Sequence, residues 1–297
     1  MFGPQRRSGL DALLDRPRRS PWQEFRQSPL VFIARQLYYA LRAPLVVPAE
    51  RLPPADAVSV VCISDTHNSQ PVLPDGDVLI HAGDLTQSGT LPELQQTLVW
   101  LRSQPHPHKI VVAGNHDLLL DGAYMPSAGA DAQRAQLDWG GVVYLEDSET
   151  TVTCANGRRL RIYGSPRSPR HGNWAFQYPR SEDIWASSRC HLDPLTLGCP
   201  HLLRELWRVR PVLHVFGHVH AGYGQEWLSF DRQQEAYERT VLAGGGLWNV
   251  LAVLRELVVS WFCSPHAAAD ARCLLVNPSM VGGLWDAERR LPIKVVI

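Results

Sequence analysis

Four short segments concentrate side chains able to bind metal ions: Asp65-Thr66-His67, Gly83-Asp84, Gly114-Asn115-His116-Asp117 and Gly217-His218-Val219-His220. Carboxylate, amide oxygen and imidazole together suit Mn, Fe, Zn or Mg, and D-x-H or H-x-H lets one extended stretch offer two ligands to one centre. Glycines 83, 114 and 217 permit the sharp turns that present such side chains.

Each of these segments follows a predicted strand. Residues 58–64 form a continuous, largely β-branched run ending in a polar cluster, the pattern of a buried strand that runs into a loop. Residues 77–81 and 109–113 repeat it. Between them, Thr90-x-x-Glu93 with Pro92 reads as a capping box opening a helix whose buried stripe is Leu94, Leu98 and Leu101. Further strands are predicted at 159–163, 211–216, 273–276 and 293–297, and a helix at 201–209. Strands alternating with helices indicate an α/β fold, which places ligands outside the carboxyl ends of its strands.

The ordered set D-x-H, G-D, G-N-H-D and G-H-x-H resembles the calcineurin-like metallophosphoesterase family, and within it the eukaryotic, fungal-type metallophosphoesterase-domain branch. The resemblance runs from about residue 58 to the C-terminus and includes Gly172-Asn173-Trp174-Ala175-Phe176 and Val281-Gly282-Gly283. It implies a β-sandwich flanked by helices and two divalent ions (Mn, Fe, Zn or Mg). It further implies that Asp65, His67, Asp84 and His220 hold the first ion. Asn115 and His218, with Asp84 bridging, are implied to hold the second. His116 would protonate the leaving oxygen, a role suited to a side chain with an ordinary pKa near 6.5. The implied substrate is a small phosphodiester, a cyclic nucleotide among the candidates, or a phosphomonoester.

Two departures qualify this. The family has a strand ending in H-G-P-P, whose His is a further ligand of the second ion, where this chain has only Ala186-Ser187-Ser188-Arg189-Cys190. A strand with its loops does not fit there. The second site is therefore expected to be weak or empty, and the sheet to be open to the loss of an inner strand. His171, His191 and His201 are candidate substitutes. The alternatives to an active enzyme are an impaired metallophosphoesterase-like binding protein and an incomplete gene product. Gln87 also stands where many members have an Asp supporting the catalytic His, so that support is expected to be missing. Arg167 and Arg170, beside Gly164-Ser165-Pro166, are candidates to grip a substrate phosphate bidentately. Arg159 and Arg161 read as an outward face, and Trp174 and Phe176 as either base-stacking or core aromatics.

Composition narrows the rest. The 297 residues carry 29 basic and 29 acidic side chains, so no net field draws the chain to nucleic acid, and no specific nucleic-acid binding is expected. The six cysteines form no C-x-x-C pair, which fits a reduced, intracellular and cytoplasmic setting. Residues 1–27, with six Arg and no apolar signal region, read as a disordered basic tail. Residues 28–56 read as a helix and Pro-rich linker, and 57–297 as the domain. The apolar segment at 30–41 is too short to span a membrane and reads as a docked helix rather than an interfacial one. Residues 247–263, with Leu247, Val250, Leu251, Leu254, Leu257 and Val258, read as a core helix.

Overall fold

The computed structural model describes residues 20–42, 56–179, 181, 182, 184, 199–262, 272–282 and 287–297. The segment 185–191, and with it His191 and Cys190, lies outside the described residues, as does Cys263. Of the remaining cysteines, Cys62, Cys154, Cys199 and Cys273 are free thiols.

The first strands are β1 (Ser59–Ile63), β2 (Val78–Ala82), β3 (His108–Val112) and β4 (Val142–Tyr144). They are followed by the hairpin of β5 (Ser148–Thr153) and β6 (Arg159–Gly164), and by the short pair β7 (Ser168–Pro169) and β8 (Gln177–Tyr178). Later come β9 (Leu213–Val215), β10 (Gly224–Ser229), β11 (Arg272–Asn277), β12 (Val281–Gly282), β13 (Glu288–Arg289) and β14 (Ile293–Val296). The central sheet has the order β14-β1-β2-β3-β4, parallel except for β14. A second sheet has the order β10-β11-β9, with β9 and β11 parallel.

Alternation along β1 explains its unbroken apolar sequence. Val61 and Ile63 join Leu79 and Val111 in a core shared with Leu94, Leu98 and Leu101 of the helix Leu91–Ser103. Val60 and Cys62 face the other way, into a core shared with Leu213, Val215, Leu274 and Val276 of the second sheet. A strand covered on both faces has no solvent side to mark with polar residues. The helix opens as its capping box predicts, with Glu93 Oε2 accepting from Thr90 N at 3.0 Å and Thr90 Oγ1 at 2.6 Å. The parallel strands β1, β2 and β3 end on one edge of the sheet, and the polar segments begin there. Among the described residues β9 is bonded only to β11.

The contacts divide the chain into two units: 46–228 with 272–282 and 289–297, and 1–45 with 229–271 and 283–288. This differs from a boundary near 56, because the helix Pro29–Leu41 packs with Arg232–Leu242 and Leu247–Phe262. Leu37, Leu41, Ala236, Tyr237, Val253 and Leu257 form their common core, and Tyr38 stacks on Tyr237 at 4.4 Å. Residues 21–27 are not a disordered tail: they form a helix, with Ser20 and Gln23 as its capping box. Residues 1–19 lie outside the described residues. The core series expected at 247–263 is also corrected. Val250, Val253 and Leu257 are buried, whereas Leu247, Leu251, Leu254 and Val258 are exposed. The segment is apolar on more than one face, and its partner helices cover only one. No helix among the described residues is long and apolar enough to cross a membrane.

Candidate metal centre

Asp65 and His67 follow β1, Asp84 follows β2, and His220 lies in the segment after β9. One ligand atom from each of the four lies within 4.8 Å of all the others. The backbone is shaped for this convergence. Asp65 (φ 50°), His67 (43°), Asp84 (51°) and His218 (70°) all occupy the left-handed region, at a cost of order 1–3 kcal/mol each that persists where the surroundings over-determine it. Glycines clear the remaining space. A Cβ on Gly217 would lie 2.5 Å from Asp65 Oδ2, and one on Gly114 would collide with the backbone nitrogen and carboxylate of Asp84.

Asp65 is fully buried. Its Oδ1 accepts from His218 N at 2.9 Å and faces His220 Nε2 at 3.2 Å, and its Oδ2 lies 2.6 Å from Ser64 Oγ and 2.7 Å from Ser279 Oγ. Burial pushes its carboxyl up, but the bond to and charge of His220, with the serine hydroxyls, outweigh burial and hold it below the usual range. The neighbouring Asp84 is driven the other way. Burial, then the charges of Asp65 and Asp117, raise it well above an ordinary carboxylate, with a single bond from His116 N at 2.8 Å in opposition. Closely packed, buried carboxylates ask for a cation. Two carboxylates and two imidazoles around one point are the donors a divalent Mn, Fe, Zn or Mg ion accepts, so the residues fit such an ion.

Asn115 and His218 are neighbours of this cluster but are bonded to each other, His218 Nδ1 lying 2.6 Å from Asn115 Oδ1. Burial lowers the His218 pKa, and the charge of Asp65 partly restores it. His116 stands edge-on to His67, ring centroids 4.7 Å apart. Its Nδ1 lies 2.8 Å from the Gln87 carbonyl oxygen. Because that oxygen only accepts, the Nδ1 carries the proton and Nε2 is the free basic atom. The expectation that Gln87 leaves His116 without support is thereby corrected, since its backbone carbonyl meets the ring.

Several positioning residues had no signature of their own. Asp117 is fully buried and accepts from Gly114 N (2.7 Å), Thr86 Oγ1 (2.7 Å), Thr86 N (3.0 Å) and Leu85 N (3.1 Å). It ties the loop after β2 to the loop after β3, and burial raises its carboxyl to about 6. Asn277 Nδ2 bonds Val219 O at 2.9 Å, and Arg290 Nη1 bonds the His220 carbonyl. Trp174 stacks on His116 at 4.4 Å, while Phe176 is a core residue. Arg167 is engaged by Asp147 at 2.9 Å. Arg170 donates its amide to Tyr178 O, and its guanidinium makes no ion pair with a described residue. His201 is buried in the first turn of the helix Pro200–Val209. His171 sits in the loop whose Ala175 N bonds Asn115 O at 3.3 Å, close enough for its charge to act on His218. Arg161 pairs with Glu149 on the exposed face of β6.

Comparison with known proteins agrees with this geometry. The calcineurin-like phosphoesterase family matches residues 58–222. The chain is 36% identical over 217 residues to human metallophosphoesterase domain-containing protein 1, a match covering 60% of this chain and 65% of that protein. A Caenorhabditis elegans protein of the UPF0046 group is 34% identical, over 58% of this chain and 68% of its own length. An Emericella nidulans protein named as a probable rhamnogalacturonate lyase C is 41% identical across 98% of this chain, but the match covers 29% of that protein. The chain thus spans less than two thirds of the length of the Emericella and human relatives.

Proposed function

The chain belongs to the calcineurin-like phosphoesterase family, and on that premise we propose that it hydrolyses a small phosphoester, a phosphodiester in the first instance. The convergence of Asp65, His67, Asp84 and His220 within 4.8 Å carries this reading. These four hold one divalent ion. Asn115, His218 and Asp84 would hold a second more weakly, because Asn115 and His218 are bonded to each other and the chain has no H-G-P-P histidine. Divalent ions bound there supply Lewis acidity toward phosphoryl oxygens and lower the pKa of water.

The protein's own groups do the rest. Asp65 is held ionised against its burial by the bond to and charge of His220, with the hydroxyls of Ser64 and Ser279. In the imidazolium form His116 would give the proton on Nε2 to the leaving oxygen while Nδ1–H stays on the Gln87 carbonyl, so the ring keeps its orientation through the transfer. Trp174 shields one face of that ring from water. Arg170 is the better placed of the two arginines to meet a substrate phosphate, since Arg167 is held by Asp147. We assign the chain to the intracellular, cytoplasmic side of the cell, as its reduced cysteines suit.

The test is turnover of bis(p-nitrophenyl) phosphate after removal of metal and addition of Mn. Mn-dependent turnover abolished by Asp84→Ala supports the enzyme. Stoichiometric Mn binding with no turnover of phosphodiester or phosphomonoester refutes it, in favour of the impaired, ligand-binding reading that the missing H-G-P-P block also suits.

A further inference from the structure

Trp174 differs from the residues that follow it. Ala175 and Phe176 are fully buried, yet the indole before them is 38% exposed. A single exposed aromatic on a loose loop needs no explanation, but this loop is firmly held. Ala175 N donates to Asn115 O at 3.3 Å, Phe176 N to Asp121 Oδ2 at 2.6 Å, and Tyr124 Oη to Asn173 O at 3.3 Å. Phe176 occupies the left-handed region at φ 55°, and Gly172 has φ 92°. For a bulky side chain such a φ is costly, and strain of this kind persists where the surroundings impose it, most often beside functional sites. A Cβ on Gly172 would lie 3.4 Å from Cδ1 and Nε1 of the indole, so that edge of the ring runs close along the backbone of its own loop.

The indole stacks on His116, with centroids 4.4 Å and planes 28° apart. A bicyclic indole is larger than an imidazole, so the stack leaves part of it uncovered. The His116 ring is fixed in its own plane by the Gln87 carbonyl at Nδ1, which leaves Nε2 to meet the leaving oxygen. A substituent on that oxygen comes alongside the same indole. Resting on the reading that His116 is the proton donor, we propose that Trp174 is a specificity residue. Its uncovered apolar surface receives a flat aromatic ring carried by the leaving alcohol, so aryl phosphoesters are preferred to alkyl ones. A flat ring meets an indole in an offset stack or edge-to-face, and it does so without freezing the rotatable bonds that an alkyl chain would lose.

The experiment compares kcat/KM of the full chain, with Mn added, for phenyl methyl phosphate and hexafluoroisopropyl methyl phosphate. Their leaving alcohols are similar in acidity, so the demand on His116 is alike and shape is the variable. The phenyl ester should be preferred. Trp174→Ala should lower kcat/KM for the phenyl ester roughly tenfold more than for the fluoroalkyl ester, and Trp174→Phe should keep the preference. Trp174→Leu, apolar but not flat, should behave as alanine does and serves if alanine unsettles the loop, which urea unfolding in chelator reveals. A second readout needs no turnover. Phenylphosphonate and methylphosphonate, whose carbon–phosphorus bonds hydrolysis leaves intact, are titrated calorimetrically into the Mn-loaded protein; the phenyl compound should bind more tightly, and Trp174→Ala should bring the two together. Equal losses for both esters overturn the proposal and make Trp174 a support for His116 alone. An unchanged ratio of phosphonate affinities in Trp174→Ala overturns it as well. Failure of the hydrolase reading looks different, as turnover of neither ester, and the phosphonate titration then decides the ring contact by itself.

Discussion

A methyl group on Gly114 tests whether the loop after β3 holds Asp84 as described. The Cβ of alanine would collide with the Asp84 backbone nitrogen and Oδ1, and lie 2.7 Å from the carboxylate carbon, against about 3.5–4.0 Å for a comfortable contact. Gly114 is not among the glycines with positive φ, so alanine meets no backbone strain. Without a collision the change would stabilise by about 0.4–1 kcal/mol through the unfolded chain. Overpacking costs about 1–3 kcal/mol, and here the obstacle is backbone, so the upper part of that range applies. The net expectation is a loss of roughly 2 kcal/mol for Gly114→Ala, with Mn affinity lowered roughly 10–100-fold by the displaced carboxylate. Gly129→Ala is the control: its Cβ meets nothing within 4 Å, and it should gain the 0.4–1 kcal/mol or so of the entropic effect. Urea unfolding in chelator measures the first quantity and calorimetric titration with Mn the second. If Gly114→Ala matches Gly129→Ala in stability and binds Mn as the parent does, the placement of Asp84 is wrong.

Three further outcomes are expected. Gln87→Ala should keep turnover within about twofold, whereas His116→Ala should lose roughly 100–10,000-fold, less for nitrophenolate than for a poor leaving group; a large loss in Gln87→Ala would show that the side chain matters. Dialysis against free Mn should leave one tightly held equivalent per chain, and two would direct mutagenesis to His171. His81 is fully buried and its pKa is pushed down to about 4 by desolvation. The unfolded chain takes up that proton near the ordinary 6.5, so stability falls as pH drops from 6.5 through 4, by roughly 3 kcal/mol in all. His81→Gln, unfolded by urea in chelator, should show a correspondingly shallower dependence, and an unchanged slope would count against it.

Strands β1, β2 and β3 were legible because each is short, apolar and closed by a polar cluster. Those at 58–64, 77–81 and 109–113 begin within a residue of the observed β1, β2 and β3. The ligand candidates were legible for the same reason, since parallel strands deliver their carboxyl ends to one edge. What holds those candidates was not. Asp117 was only the last letter of a motif, Ser279 and Asn277 lie some 210 residues or more from Asp65 in sequence, and the support for His116 is a backbone carbonyl that no residue type announces. The helix Leu247–Phe262 misled because periodicity reports that an apolar face exists and does not report which of two apolar faces a neighbour will cover.

The short strand β9 leads into the segment that carries both His218 and His220. It has three residues and, among those described, one bonded neighbour, yet His218 and His220 both follow it. Sheet pairing alone would leave that segment at the low-stability end of the molecule. Contacts from elsewhere take over: Asp65 accepts from His218 N, Asn277 bonds Val219 O, and Arg290 bonds His220 O. Each of these fixes backbone, and the His220 ring is then drawn toward Asp65. The His218 ring is bonded to the Asn115 side chain. Backbone contacts rather than sheet pairing therefore hold both histidines, and Asp65 adds a hold on the His220 ring.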